Sequence, residues 1–233
     1  ELIKSIEPDY VIHLASNSSV AYSWSEPVKS FQNNTNIFLN LVEAIRKCNL
    51  STRVLSVGSS EEYGLVNVND IPLNENSKLN PISPYAVARV SQELISTIYT
   101  NGYGIDIVKT RSFNHIGPGQ SSSFVISSFA RQIIERKLGI VEGPIKVGNL
   151  EVIRDFIDVR DVVSAYWNVL LKGKAGEVYN VCNGTGFSIN QVLEKMIKIS
   201  GVNCTIEVQN DLIRPIDNPI IVGDNNKIFR DCN

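Results

Sequence analysis

Three short apolar runs, each ending in a cluster of small polar residues, constrain this chain most. They are "DYVIHLAS" (9–16), "RVLSVGSS" (53–60) and "IDIVKTRSF" (105–113). Each is too short for a helix and too uniformly apolar for a half-exposed strand, which suits strands buried on both faces of a parallel sheet. Helical patterns fill the gaps. Val28, Phe31, Thr35, Phe38, Leu41, Val42 and Ile45 recur at helical spacing between Ser25 and about Asn49. Ser83 and Pro84 are a good cap and first residue for a second helix. That helix is predicted to run to about Thr100, with Val87, Val90, Leu94 and Ile98 on one stripe and Gly102 beyond its end. Strands alternating with helices predict an α/β fold, a doubly wound parallel sheet with right-handed crossovers.

Further along, "FVISSFARQIIERKL" (124–138) and a segment near 160–172 read as helices, and "EVYNVC" (177–182) as a strand. A helix over 189–200 is opened by the capping box Ser188–Gln191. Weaker periodicity sets 118–158 and 184–233 apart as a smaller lobe, leaving 1–117 and 159–183 as the main sheet domain. A Rossmann-like sheet opens with a strand, a glycine-rich turn and a helix N-terminus that holds a pyrophosphate. No GxGxxG or GxxGxxG occurs here, and the glycines at 117, 119, 184 and 186 are poor substitutes. With no initiator Met and an opening that reads as the end of a helix, the chain is expected to be a fragment whose first βαβ unit is missing.

A formal charge of −2 disfavours nucleic acid or an anionic membrane as the main partner. No apolar run is long enough to span a bilayer, and "ELIKSIEPD" is too polar for a signal peptide. Four cysteines without CxxC spacing and only two histidines argue for reduced thiols in a cytoplasmic protein and against a metal site.

Tyr85 and Arg89 stand four residues apart, hence on one helix face. A carbonyl accepting hydride needs a proton, which a phenol supplies more readily beside a fixed cation. At ~4 Å and an effective dielectric near 20, that attraction is about 4 kcal/mol. Ser59, Ser60 and Glu61 leave one strand end. "HLAS" and "RSFNHIGPGQ" end the neighbouring strands, where doubly wound sheets build their sites.

With these motifs the chain resembles the extended short-chain dehydrogenase/reductases acting on nucleotide sugars. Within that group it resembles the GDP-4-keto-6-deoxymannose reductases that form GDP-D-rhamnose. "SPYAVARV", "RSFNHIGPGQ", "FVISSFARQI", "VIRDFIDVRDVV" and "GEVYNVCNG" carry the resemblance. It implies Ser59 as the hydroxyl on the C4 oxygen, Tyr85 as proton donor, and Arg89 at the position of the usual lysine. Leu14, Ala15, Ser16, Asn34, Tyr85, Arg89, His115 and Gln120 would meet NADP or NAD, whose phosphate-binding motif lies outside this sequence. Ser59, Ser60, Asn114, Arg154, Arg214 and Asp217 would meet a GDP-linked hexose. The resemblance also implies a homodimer through the helices at 26–49 and 85–100. Arginine is broader than lysine, so the exchange at 89 is not conservative.

Two other readings stand beside the reductase. Glu61 is where a glutamate moves the C5 proton in the 4,6-dehydratases, so GDP-mannose dehydration is one. The other is a truncated, non-catalytic homologue that dimerises or binds nucleotide sugar, favoured by Arg89 and the absent glycine-rich loop.

Overall fold

The computed structural model describes residues 2–213 and 216–233. From the N-terminus, α1 (Leu2–Ile6) leads into β1 (Tyr10–His13), followed by α2 (Val20–Ser25), α3 (Pro27–Lys47) and β2 (Arg53–Ser59). Next come α4 (Pro84–Tyr103), β3 (Ile107–Ser112), β4 (Asn114–Ile116), α5 (Val125–Lys137), β5 (Ile145–Val147) and β6 (Ile153–Asp158). The remainder is α6 (Val159–Lys172), β7 (Val178–Val181), β8 (Gly186–Ser188), α7 (Ile189–Ser200), β9 (Ile206–Val208), β10 (Ile220–Ile221) and α8 (Asn226–Cys232).

The main sheet has the order β1-β2-β3-β7, all parallel, as the alternating pattern predicts. Its register pairs Ser59 with Ser112, so the polar ends of β2 and β3 lie side by side. Helices α3 and α4 cover one face through Phe38, Val42, Ile45 and Tyr99 against Val54 and Ile107. On the other face, Val162, Tyr166, Val169 and Leu170 of α6 pack with Cys232 of α8 against Leu55, Val57, Val108 and Tyr179. β1 is an outer strand, and Tyr10, Ile12 and Leu14 along it are exposed.

A second cluster joins Phe129 and Ile133 of α5, Ile145 and Val147 of β5, and Ile189 and Leu193 of α7. Two small sheets accompany it: β10-β6-β4 with β8 antiparallel to β6, and the parallel pair β5-β9. The expected capping box at Ser188–Gln191 is formed reciprocally.

Helix α4 runs further than its sequence suggests. Gly102 is inside it, and the left-handed Gly104 (φ 70°) ends it, because the N–H of Gly104 reaches back to Thr100 and Tyr99. Its apolar stripe also faces outward. Val87, Leu94 and Ile98 are exposed, whereas the buried face is Tyr85, Ala86, Ala88, Arg89, Gln92, Ser96 and Tyr99. No helix among the described residues is long and apolar enough to cross a membrane.

Candidate active site

Ser59 is the last residue of β2 and the cap of a 3-10 turn over Ser60–Tyr63. Its Oγ accepts the Glu61 N–H at 3.2 Å and closes a capping box with Glu62. A hydroxyl has one proton and two acceptor sites. Because backbone donors occupy the oxygen, the proton is what Ser59 can offer outward. Ser60 is buried, while Glu61 is half-buried.

Ser83 starts α4 by accepting the Ala86 N–H at 3.1 Å, with Pro84 in the first turn. Tyr85 follows, buried at the helix entrance. Arg89, one turn later, reaches across its ring: Nε donates to Tyr85 Oη at 3.1 Å, and the guanidinium carbon lies 5.2 Å from the ring centroid. Nη1 donates to the Val57 carbonyl at 3.0 Å and to Gln92 Oε1 at 2.8 Å, and Nη2 donates to Ser16 Oγ. Gln92 is held in turn by donating to Ser56 Oγ and the Val57 carbonyl. These hydrogen-bond partners of Arg89 are all neutral, so a cation only 5 % exposed stands without a carboxylate in hydrogen-bonding contact among the described residues.

Two consequences are local. His13 packs edge-on to Phe38 with ring centroids 5.0 Å apart, and neither ring nitrogen has a partner among the described residues. Burial, then the Arg89 charge, lowers its pKa to about 4, so it is neutral at physiological pH. Asn34 of α3 holds the chain just beyond Ser16 from both sides: its Oδ1 accepts the Asn17 N–H at 2.7 Å and its Nδ2 donates to the Asn17 carbonyl at 3.0 Å. Leu14 and Ala15 are exposed at this strand end.

On the far side, Ser112 and Tyr166 share a hydrogen bond of 2.6 Å. Burial raises the Tyr166 pKa to about 12, with smaller influences from Tyr85 and Arg89. No direct hydrogen bond joins Ser59 to Tyr85 among the described residues. Arg89 joins Tyr85 to Ser16, Asn34 holds the residue after Ser16, and Ser59 ends the neighbouring strand β2. Gln92, Ser112 and Tyr166 belong to the same surroundings and were not legible as site residues. Gln92 carries the only signal, lying seven residues after Tyr85 on one helix face.

Asn114 is half-buried and His115 exposed, both on β4. Gln120 donates to the His115 carbonyl at 3.0 Å and accepts from Ser127. Arg154 is buried on β6 and pairs with Asp217 at 2.6 Å, not with Asp155 or Asp158. Asp155 is instead engaged by the backbone N–H groups of Asn183, Gly184 and Gly223. Asp158 caps α6 and pairs with Arg160. The glycine pair 184 and 186 thus borders a loop filled by the protein's own carboxylate. Arg214 lies outside the described residues. Among them, no group of three or more His, Cys, Asp or Glu could hold a metal ion.

The residues fit the nicotinamide half of a dinucleotide: an exposed apolar strand end at Leu14–Ala15 adjoins a buried cation whose neutral contacts can be shared with ribose hydroxyls. A pyrophosphate cradle has no counterpart in this sequence.

A Rossmann-type parallel sheet with a serine, a tyrosine and a cation at its strand ends defines an extended short-chain dehydrogenase/reductase. The chain belongs to the family described as GDP-mannose 4,6 dehydratase, which matches residues 1–233. It is 39% identical over 199 residues to a GDP-6-deoxy-D-mannose reductase from Pseudomonas aeruginosa, covering 85% of this chain and 66% of that protein. It is 30% identical over 210 residues to a GDP-mannose 4,6-dehydratase from Vibrio cholerae, covering 89% and 55%. The chain thus spans less than two thirds of either relative. The structure of RMD from Pseudomonas aeruginosa complexed with NADPH superposes with a TM-score of 0.91 at 36% identity, covering 97% of this chain and 75% of that one.

Proposed function

We propose that the intact protein reduces the C4 ketone of a GDP-4-keto-6-deoxyhexose, GDP-4-dehydro-6-deoxy-D-mannose to GDP-D-rhamnose. The observation that carries this reading is the hydrogen bond between Arg89 and Tyr85, beside a strand end whose serine Oγ accepts from the backbone and keeps its own proton to donate. In this reading Ser59 donates to the ketone oxygen, orienting it. Tyr85 delivers the proton as negative charge develops there, and the Arg89 guanidinium steadies the phenolate that remains. NADPH or NADH would supply the hydride to C4. Leu14, Ala15, Ser16, His115 and Gln120 would hold its nicotinamide half, and Asn34 would fix the loop behind it.

The lobe of 118–158 and 184–233 is assigned the nucleotide sugar, with Ser60 and Asn114 facing the hexose. Arg154 would share its planar fork between Asp217 and a diphosphate oxygen; Asp217 and Arg214 would bound the nucleotide ribose. The identity to the Pseudomonas aeruginosa reductase supports this assignment. The protein would act as a homodimer, since Val28 and Phe31 of α3 and Val87, Leu94 and Ile98 of α4 leave apolar side chains outward on two adjacent helices.

Glu61 favours the dehydratase as a second reading, because it follows the site serines directly. Product analysis separates the two. Incubation with GDP-4-keto-6-deoxymannose and NADPH should give the C4 alcohol and leave GDP-mannose untouched; release of the 4-keto sugar from GDP-mannose overturns the assignment.

A further inference from the structure

Behind Ser59 lie a buried glutamate, Glu62, and a partly buried one, Glu93, with no place in the reaction above. Glu62 is fully buried, and its Oε1 accepts the Ser59 N–H at 2.7 Å. The carboxyl lies under β2 at Gly58, where any side chain would collide with it: a Cβ there would stand 2.3 Å from Glu62 Oε1 and 2.6 Å from the Thr110 carbonyl. Oε2 meets no N–H or O–H donor among the described residues. The charge that acts on it most strongly is the carboxylate of Glu93 on α4.

The charge around this pair is unevenly shared. Arg111 of β3 grips Glu93 with both arms, Nε to Oε2 at 2.9 Å and Nη2 to Oε1 at 2.7 Å. That guanidinium also stacks on Tyr63, 4.9 Å from the ring centroid. Lys109 of β3 faces the same space and donates to Thr97. One arginine therefore neutralises Glu93 and leaves Glu62 beside a carboxylate in a dry setting. Desolvation first, and then the Glu93 charge, pushes the Glu62 pKa up to about 8.

We propose that Glu62, buried beneath the end of β2 with Oε1 on the Ser59 backbone N–H, is a positioning residue that fixes the Ser59 hydroxyl for donation to the substrate. One oxygen accepts from the Ser59 backbone while the other carries a proton donated to Glu93. The strand end is thereby tied to α4, the helix that carries Tyr85 and Arg89. Loss of the proton would place a second negative charge beside Glu93 and loosen the turn that holds Ser59. The link to turnover rests on the assignment of Ser59 above, whereas the protonation of Glu62 does not.

Two readouts test this in the intact protein. In infrared difference spectra against Glu62→Gln, a protonated-carboxyl band should be present at neutral pH and fade as pH rises through about 8. Absence of that band at neutral pH overturns the proposal. In turnover, whichever nucleotide sugar the protein accepts, Glu62→Gln keeps acceptor and donor and should hold kcat within about threefold. Glu62→Leu should lower kcat by about 100-fold, the cost of misplacing a catalytic group, with little change in KM. The wild-type kcat should decline on the alkaline side, and the Glu62→Gln profile should lack that limb. A folded Glu62→Leu protein with normal kcat, or a crystal structure of it with Ser59 Oγ in place, overturns the proposal. Failure to turn over any nucleotide sugar would instead count against the reductase reading, and the spectrum and the crystal structure would still decide the role of Glu62.

Discussion

Arg89 is buried with a phenol, a carbonyl, an amide and a hydroxyl as its hydrogen-bond partners, and the proposed reaction uses its charge to steady the phenolate that forms. Arg89 differs from a lysine here because it can contact Tyr85, Val57, Gln92 and Ser16 at once. Arg89→Lys would keep the charge and lose most of these bonds. A change in kcat greater than the change in KM is expected, and steady-state kinetics on the keto sugar checks it. His13 makes a pH prediction. Its folded-state pKa of about 4 lies below the ordinary histidine value, so its contribution to stability is complete above about 6.5. That contribution is lost as pH falls from there towards 4 and is at most about 3–4 kcal/mol, the undiscounted equivalent of the shift. Denaturant titrations across this range should show the loss in the wild type and a flatter profile in His13→Phe. The His13 environment was not legible beforehand, because its packing on Phe38 and its exposure to the Arg89 charge come from two separate helices.

The elements that carry the site were more readable than the residues that support it. Ser83-Pro84 marked the start of α4, and three apolar runs marked the strands, because caps and burial leave local signatures. Ser83→Ala should cost about 1 kcal/mol of stability by freeing the Ala86 N–H, measurable by chemical denaturation. Since Tyr85 sits in that first turn, activity should fall with it. The small sheets were not legible. Strand β5 pairs with β9 and β10 with β6, each only two or three residues long, so periodicity has too little chain to act on. The same holds for Arg154, whose ionic partner Asp217 lies 63 positions away while two nearer aspartates are committed elsewhere. The Glu62–Glu93–Arg111 set joins three elements and gives no spacing signature at all.

At the scale of the whole molecule, α3 buries Phe38, Val42 and Ile45 against the sheet, while Val28 and Phe31 of α3 and Val87, Leu94 and Ile98 of α4 remain exposed on two adjacent helices. If two copies meet there, Leu94→Asp combined with Ile98→Asp should convert a dimer to a monomer in sedimentation equilibrium. An unchanged mass would remove these helices from the interface. The proposed reaction asks β2 and α4 to bring Ser59 and Tyr85 to one ketone oxygen. Its most direct test is Tyr85→Phe in the intact protein, assayed on GDP-4-keto-6-deoxymannose with NADPH while binding of the sugar nucleotide is followed separately. The account predicts a fall in kcat of at least about 100-fold with binding preserved, and a wild-type kcat without the phenol's proton would contradict it.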